Sequence, residues 1–171
     1  YIKWDCNAVI FNAKSASNPH PSHLFVDYVK GFYSIMERLR QKYPEIPIML
    51  CSGGGGRADY GALKYFTEFW PSDNTDPLDR IYMQWEYSRF FPAIALGAHV
   101  TNWGKQPLKY RTDVALMGKF GHDIVVSHLN EKELKFTQDA LQLYKRISET
   151  TLQGDLYRLV APYGSDFASL A

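Results

Sequence analysis

At 171 residues the chain is long enough for one domain with a hydrophobic core, and 46% of it is apolar. Lys+Arg 19 against Asp+Glu 18 leaves a net charge of +1, which gives no sign of a nucleic-acid or membrane surface, and no apolar run reaches membrane-spanning length. Cys6 and Cys51 are the only cysteines, so a disulfide scaffold is excluded and free thiols are expected.

The chain opens on YIKWD, an extended stretch. Its two-residue period puts Ile2 and Trp4 on one face and Lys3 and Asp5 on the other. The Ser-, Asn- and Pro-rich run FNAKSASNPHPSH reads as a surface connection. A helix is predicted from about Leu24 to Tyr43, because Phe25, Tyr28, Val29, Phe32, Ile35, Met36, Leu39 and Tyr43 recur at steps of three and four. Pro44 stops it. IPIMLC, Ile46 to Cys51, is nearly all apolar and suits a parallel strand covered on both faces. CSGGGG comes next as a bare-backbone turn, then a short helix from about Arg57 to Leu63 and a strand from about Tyr65 to Trp70. After the polar loop PSDNTDP, Asp76 caps a helix from about Leu78 to Tyr87, with Pro77 at its first position. AIALGAHV reads as a buried strand ending in the loop TNWGKQP. A helix from about Tyr110 to Phe120 stops at Gly121, HDIVV is the next strand, and Asn130 caps a helix from about Glu131 to Thr150. GDLYRLVAPYGSD alternates like the opening strand of a β-rich unit.

Five strands separated by helices, with polar residue sets at their carboxyl ends, fit a doubly wound sheet or a barrel. The barrel is favoured. The expected fold is α/β: the C-terminal five strands of a (β/α)8 TIM barrel over residues 1–151, from the fourth strand onward, then the start of a C-terminal β domain over 152–171. The opening on an interior-like strand, with neither Met nor signal peptide, predicts a portion of a larger protein. Five strands cannot close, so this portion alone is expected to expose an apolar edge and fold poorly.

Asp5 and Asp73 are the candidate catalytic pair, each at the end of an apolar strand. Glycoside hydrolysis needs two carboxyl groups flanking the glycosidic bond, one as nucleophile and one as acid and base. Lys3, two residues before Asp5, points to the same side and would keep it ionised. Asp73, as the acid, would need its pKa raised by burial against Trp70 and Pro71 or by the other carboxylate. Cys51, Ser52, Gly53 and Gly54 offer backbone N–H groups and room for a ring. An aromatic content of 15% suits a pocket in which flat rings stack on sugar faces. Each feature also has a structural reading: strand-end aspartates as caps, Lys3 and Asp5 as an ion pair, the glycines as a tight turn, His99 as a core histidine. GGGGR lacks the ending of a phosphate loop and no dinucleotide fingerprint occurs. No HxxH or CxxC spacing suggests a metal, and no G-x-S-x-G elbow suggests a serine hydrolase. No cofactor and no metal are expected.

YIKWDCN, CSGGGGRADYG, WPSDNTDPLDR with Gln84, GAHVTNWG and GKFGHDI resemble, in order and spacing, the melibiase-type α-galactosidases of glycoside hydrolase family 36. The resemblance runs over nearly the whole chain. It implies a retaining enzyme acting on terminal α-linked galactose in oligosaccharides such as melibiose and raffinose. It implies Asp5 as nucleophile, Asp73 as acid/base and Lys3 as a contact to galactose hydroxyls. Cys51, Ser52 and Gly54 would line the pocket near the 2-hydroxyl, and Asp76 and Arg80 would support the motif. The family's upstream barrel half carries paired aspartates that grip the 4- and 6-hydroxyls and are not in this sequence, so the chain by itself is expected to be inactive. EYSRFFPAIALGAHVTNWGKQ departs from the family's Pro-Asn-His-Gln continuation, which bears on the outer subsites. An α-N-acetylgalactosaminidase of the same family and a non-catalytic carbohydrate-binding protein are the alternatives; a nucleotide-dependent transferase lacks its phosphate loop. The expected partner is an oligosaccharide, with no nucleic acid and no membrane, and a homo-oligomer of the full-length protein is left open.

Overall fold

A computed structural model describes residues 1–7 and 13–171. Phe11 and Asn12, the start of the first predicted loop, lie outside the described residues. The fold is mixed α/β, with parallel strands of the kind that form part of a (β/α) barrel. Strands β1 (Ile2–Asp5), β2 (Ile48–Cys51) and β3 (Glu68–Phe69) form one parallel sheet in that order, with Lys3 opposite Met49 and Asp5 opposite Cys51. Strands β4 (Gly97–Val100) and β5 (Lys119–His122) form a second parallel pair. The two sheets are joined by a parallel bridge from Phe69 to Leu96 and by Lys119 Nζ, which donates to the Thr67 carbonyl at 2.7 Å.

Between the strands run helices α1 (Leu24–Lys42), α2 (Pro77–Tyr87), α3 (Leu108–Ala115) and α4 (Glu131–Gln153). The main core lies between α1 and the first sheet, where Met36, Ile48, Leu50, Phe66 and Phe69 are buried and Ile2, Trp4 and Phe32 pack against them. Because strand side chains alternate, Lys3, Asp5, Met49 and Cys51 fall on the opposite face. A smaller core of Ala98, Val100 and Ala115 holds α3 on β4, which leaves His99 on that same opposite face. The expected caps form: Asp76 accepts from Leu78 N at the start of α2, and Asn130 and Glu133 make a reciprocal capping box at the start of α4. The apolar stripe of α1 is only partly covered, since Phe25, Val29 and Ile35 remain exposed beside fully buried Met36.

Several predicted elements differ. No helix spans Arg57 to Leu63; a single 3-10 turn covers Ala62–Lys64. That turn takes up Tyr65 and Phe66, whose N–H groups both bond the Ala62 carbonyl, so the strand predicted from Tyr65 shrinks to Glu68–Phe69. Thr67 Oγ1 stands in for a ladder partner by bonding both Ile48 N and Ile48 O at 3.0 Å. In AIALGAHV only Gly97–Val100 is strand, after a 3-10 turn over Ala93–Ala95. The helix predicted to Phe120 ends at Ala115, and Gly121 is not its stop but part of β5. HDIVV contributes only His122 to a strand, and Val125 and Val126 are exposed. At the other end β6 (Arg158–Val160) and β7 (Ser169–Leu170) form a separate antiparallel hairpin.

Candidate active site

The carboxyl ends of β1, β2 and β3 lie side by side, and the loops leaving these three strands meet there. After β2 the chain reverses through Gly53 and Gly54, both at positive φ (56° and 89°), and Ser52 N donates back to Gly54 O at 2.8 Å. This turn is tied to the end of β1: Ser52 Oγ donates to the Cys6 carbonyl at 2.7 Å, and Gly53 N–H donates to Asn7 Oδ1. It is also tied to the loop after β3, because Gly55 N donates to Pro71 O at 3.1 Å. A Cβ on Gly54 would stand 2.6 Å from Ser72 Cα and 3.2 Å from Asp73 N. The glycine run is thus bare so that the Asp73 loop can lie directly on its backbone.

The Asp73 loop is held from below by Arg80, a 4%-exposed side chain on α2. Its Nε donates to Asn74 O at 2.7 Å and its Nη2 to Ser72 O at 2.6 Å, and its guanidinium lies 4.5 Å from the Trp70 ring centre. Burial pushes the Arg80 pKa down to about 10 and the Asp73 charge pulls it back up, so it stays charged at neutral pH. Asn74 closes the loop on itself, accepting from Asp76 N at 2.9 Å. Asp76 and Arg80 are therefore supports, as expected.

On β1, Lys3 Nζ is 3.8 Å from Asp5 Oδ2 and 5.6 Å from the Trp70 ring centre. Cys51 sits between the two aspartates. Its Sγ is 3.9 Å from Asp73 Oδ1, and its pKa is raised first by burial and then by hydrogen bonding and charge from Asp5, with a Gly54 backbone hydrogen bond and Lys3 opposing. Lys3, Trp70, Asp73, Trp103 and Asp123 line an open cavity of about 340 Å³, within the ~300–1,000 Å³ usual for small-molecule sites. Asp5 itself borders the neighbouring groove against α1, with Trp4, Cys6 and Arg57, and the Lys3–Asp5 pair links the two. Asp73 is exposed, so Trp70 and Pro71 do not bury it: Trp70 is packed below the loop, with Met49 and Cys51.

A family model described as Melibiase matches residues 1–154. The chain belongs to the melibiase family. Alpha-galactosidase C of Emericella nidulans is 36% identical over 174 residues, which are 98% of this chain and 22% of that protein. The bifunctional alpha-galactosidase/sucrose kinase AgaSK of Mediterraneibacter gnavus is 34% identical over 175 residues, 99% of this chain and 18% of that protein. The crystal structure of the GH36 alpha-galactosidase AgaA from Geobacillus stearothermophilus superposes with a TM-score of 0.94 at 33% identity, covering 98% of this chain and 24% of that one. A variant of AgaA in complex with raffinose gives the same TM-score. The chain spans about a quarter or less of the length of the proteins it matches.

Sequence reasoning missed Asn7, Thr101, Asn102, Trp103 and Asp123. Asp123 had a readable signal: once β5 is placed at Lys119–His122, it is the first residue past a strand end. His99 is a half-buried histidine whose ring lies 4.8 Å from that of Trp70, and burial lowers its pKa. Among the described residues no group of three His, Cys, Asp or Glu could hold a metal, and no helix is long and apolar enough to cross a membrane.

Proposed function

We propose that the protein carrying this chain is a retaining α-galactosidase that removes terminal α-linked galactose from oligosaccharides. Residues 1–151 would supply the later five strands of its (β/α)8 barrel and residues 152–171 the start of a C-terminal β domain. The family match and the relatives' names support the activity. The observation that carries the site is Cys51, whose buried thiol feels the Asp5 carboxylate and stands 3.9 Å from that of Asp73. Two acidic side chains distant in the chain, from β1 and from the loop after β3, are brought to one small group.

In this reading Asp5 attacks the anomeric carbon. The new carbon–oxygen bond forms as the glycosidic C–O bond breaks, and the proton on the Asp73 carboxyl passes to the departing oxygen. Water then attacks the anomeric carbon, gives a proton back to Asp73, and the bond to Asp5 breaks. Lys3, 3.8 Å from Asp5, would donate to sugar hydroxyls. Ser52 and Gly53, on the open side of the glycine turn, would form the wall beside the 2-hydroxyl, with Cys51 and Gly54 buried behind them. Variants of AgaA, a relative of this chain, have been captured with raffinose and with stachyose, and substrates of that class are the ones to assay.

The test uses the full-length protein on raffinose, on an activated aryl α-galactoside and on the matching α-N-acetylgalactosaminide. Asp5→Asn should abolish turnover with the fold intact. Asp73→Asn should slow raffinose by roughly 100- to 10,000-fold and the activated galactoside far less, since a good leaving group does not need the proton. Equal losses on both substrates, or substantial activity without Asp5, would reject the assignment. Preference for the acetamido sugar would move the protein to the alternative specificity.

A further inference from the structure

The loop after β4, Thr101–Gly104, has no part in the reaction above, yet it is firmly held. Thr101 Oγ1 shares a hydrogen bond with Thr75 Oγ1 at 2.7 Å and accepts from Trp103 N at 3.1 Å. Arg111, from α3, donates to the Thr101 carbonyl and to Asn102 Oδ1. Gly104 has φ +85°, and a Cβ there would meet Asp76 Oδ2 at 2.8 Å and Pro77 Cδ at 2.9 Å, so the loop rests on the cap of α2. This pinned backbone holds up Trp103, a tryptophan that is 57% exposed and lines the same cavity as Asp73. A loop backbone already ordered by its neighbours does not have to be ordered again when a ligand binds.

We propose that Trp103 is the platform for the leaving-group sugar, a neutral pyranose stacked with its C–H face on the indole, and so a specificity-determining residue for oligosaccharide substrates. This rests on reading Asp73 as the acid. The acid must stand on the side of the departing oxygen, and Trp103 rises from the end of β4, which borders β3 on the side away from β1 and Asp5, so its ring meets the aglycone rather than the galactosyl group. The charges around the cavity favour an uncharged ligand: Lys3 is paired with Asp5, and the Asp123 carboxylate would repel a phosphorylated one. The flat apolar surface suits a sugar ring, whose faces carry C–H groups while its edge carries hydroxyls, and Asn102 beside the indole can hydrogen-bond that edge.

The experiment compares raffinose with α-galactosyl fluoride, which has no aglycone ring and a leaving group that needs no proton, in the full-length protein. In Trp103→Ala, kcat/KM for raffinose should fall about tenfold, as expected for a lost stacking contact, with turnover of the fluoride unchanged. Trp103→Phe should recover most of the raffinose rate. Raffinose kcat/KM unchanged in Trp103→Ala would overturn the inference and leave the proposed function standing. Loss of fluoride turnover in both variants would overturn it too, by showing that Trp103 supports the galactosyl site or the fold. A wild-type protein inert on both compounds would remove the function itself, and this inference with it.

Discussion

The Cys51 thiol stands 3.9 Å from Asp73 Oδ1, fully buried where the glycine turn meets the loop after β3. Burial raises its pKa above the ordinary thiol range and the Asp5 carboxylate adds to this. At neutral pH Cys51 is therefore a protonated, inert thiol. Brief alkylation of the native protein at pH 7, read by mass spectrometry of the Cys51 peptide, should label it far less than in the denatured chain, and native labelling should climb only as the pH passes the usual thiol range. Fast labelling at pH 7 would mean that the two loops do not close over Cys51.

Gly54 and Gly31 make a matched pair with opposite expected signs. At Gly54 a methyl group would be strained by φ +89° and would strike the Ser72 and Asp73 backbone, which has no flexible end to yield. Gly54→Ala should cost about 1–3 kcal/mol and, by shifting Asp73 on the order of 1 Å, roughly 100-fold in kcat/KM. Gly31, within α1, has nothing among the described residues within 4 Å of its would-be Cβ. Gly31→Ala should raise stability by about 0.5–1 kcal/mol with activity unchanged. Thermal melts and kinetics of both variants decide; an active, stable Gly54→Ala would show that the glycine run is not what seats the Asp73 loop.

Long periodic segments were the legible part of the fold. α1 and α4 carry enough turns for their apolar stripes to stand out, and the Asn130 and Asp76 caps mark the starts of α4 and α2 by chemistry that needs no tertiary partner. The short strands were not legible. KFGH holds a glycine and two polar residues, and it is a strand because β4 offers a ladder and because the His99 ring fills the space where Gly121 would carry a side chain. YFTEF reads as β-rich, but Tyr65 and Phe66 are core side chains on a turn. Within the site, the alternation in YIKWD placed Lys3 and Asp5 on one face. Nothing local could show that Ser72 packs on Gly54, since that contact joins two loops through the sheet between them.

Arg80 cannot be replaced by another cation. Its fork reaches two carbonyls of the Asp73 loop from below while its plane lies on Trp70, and a lysine has neither the plane nor a second nitrogen to span the two carbonyls. Arg80→Lys should strand at least one partly buried carbonyl at a cost of about 1–3 kcal/mol. The expected readout is a lower Tm together with a loss of kcat larger than the change in KM, since the loop carrying Asp73 loosens. A variant with unchanged Tm and kcat would show that the loop holds its shape through Asn74 and the glycine turn alone.

Acid sensitivity should centre on His99 and His122. Burial lowers the pKa of each from the ordinary 6.5; Glu68 and Asp123 partly offset this at His99, where Arg80 and Lys3 add to it, and at His122 the second cause is His99 itself. A histidine whose folded pKa lies below its unfolded value is protonated first in the unfolded chain. Its contribution is therefore complete above about pH 6.5, declines as the pH falls from there toward the folded pKa, and is constant below it. Denaturant melts of the full-length protein at closely spaced pH should show stability dropping from pH 7 to 5, and His99→Gln should flatten that slope whatever it does to stability at pH 7.5. Glutamine keeps a polar side chain against Trp70 but does not titrate. An unchanged slope in the variant would mean that His99 accepts its proton as readily in the fold as out of it, and that water reaches the ring between Trp70 and Gly121.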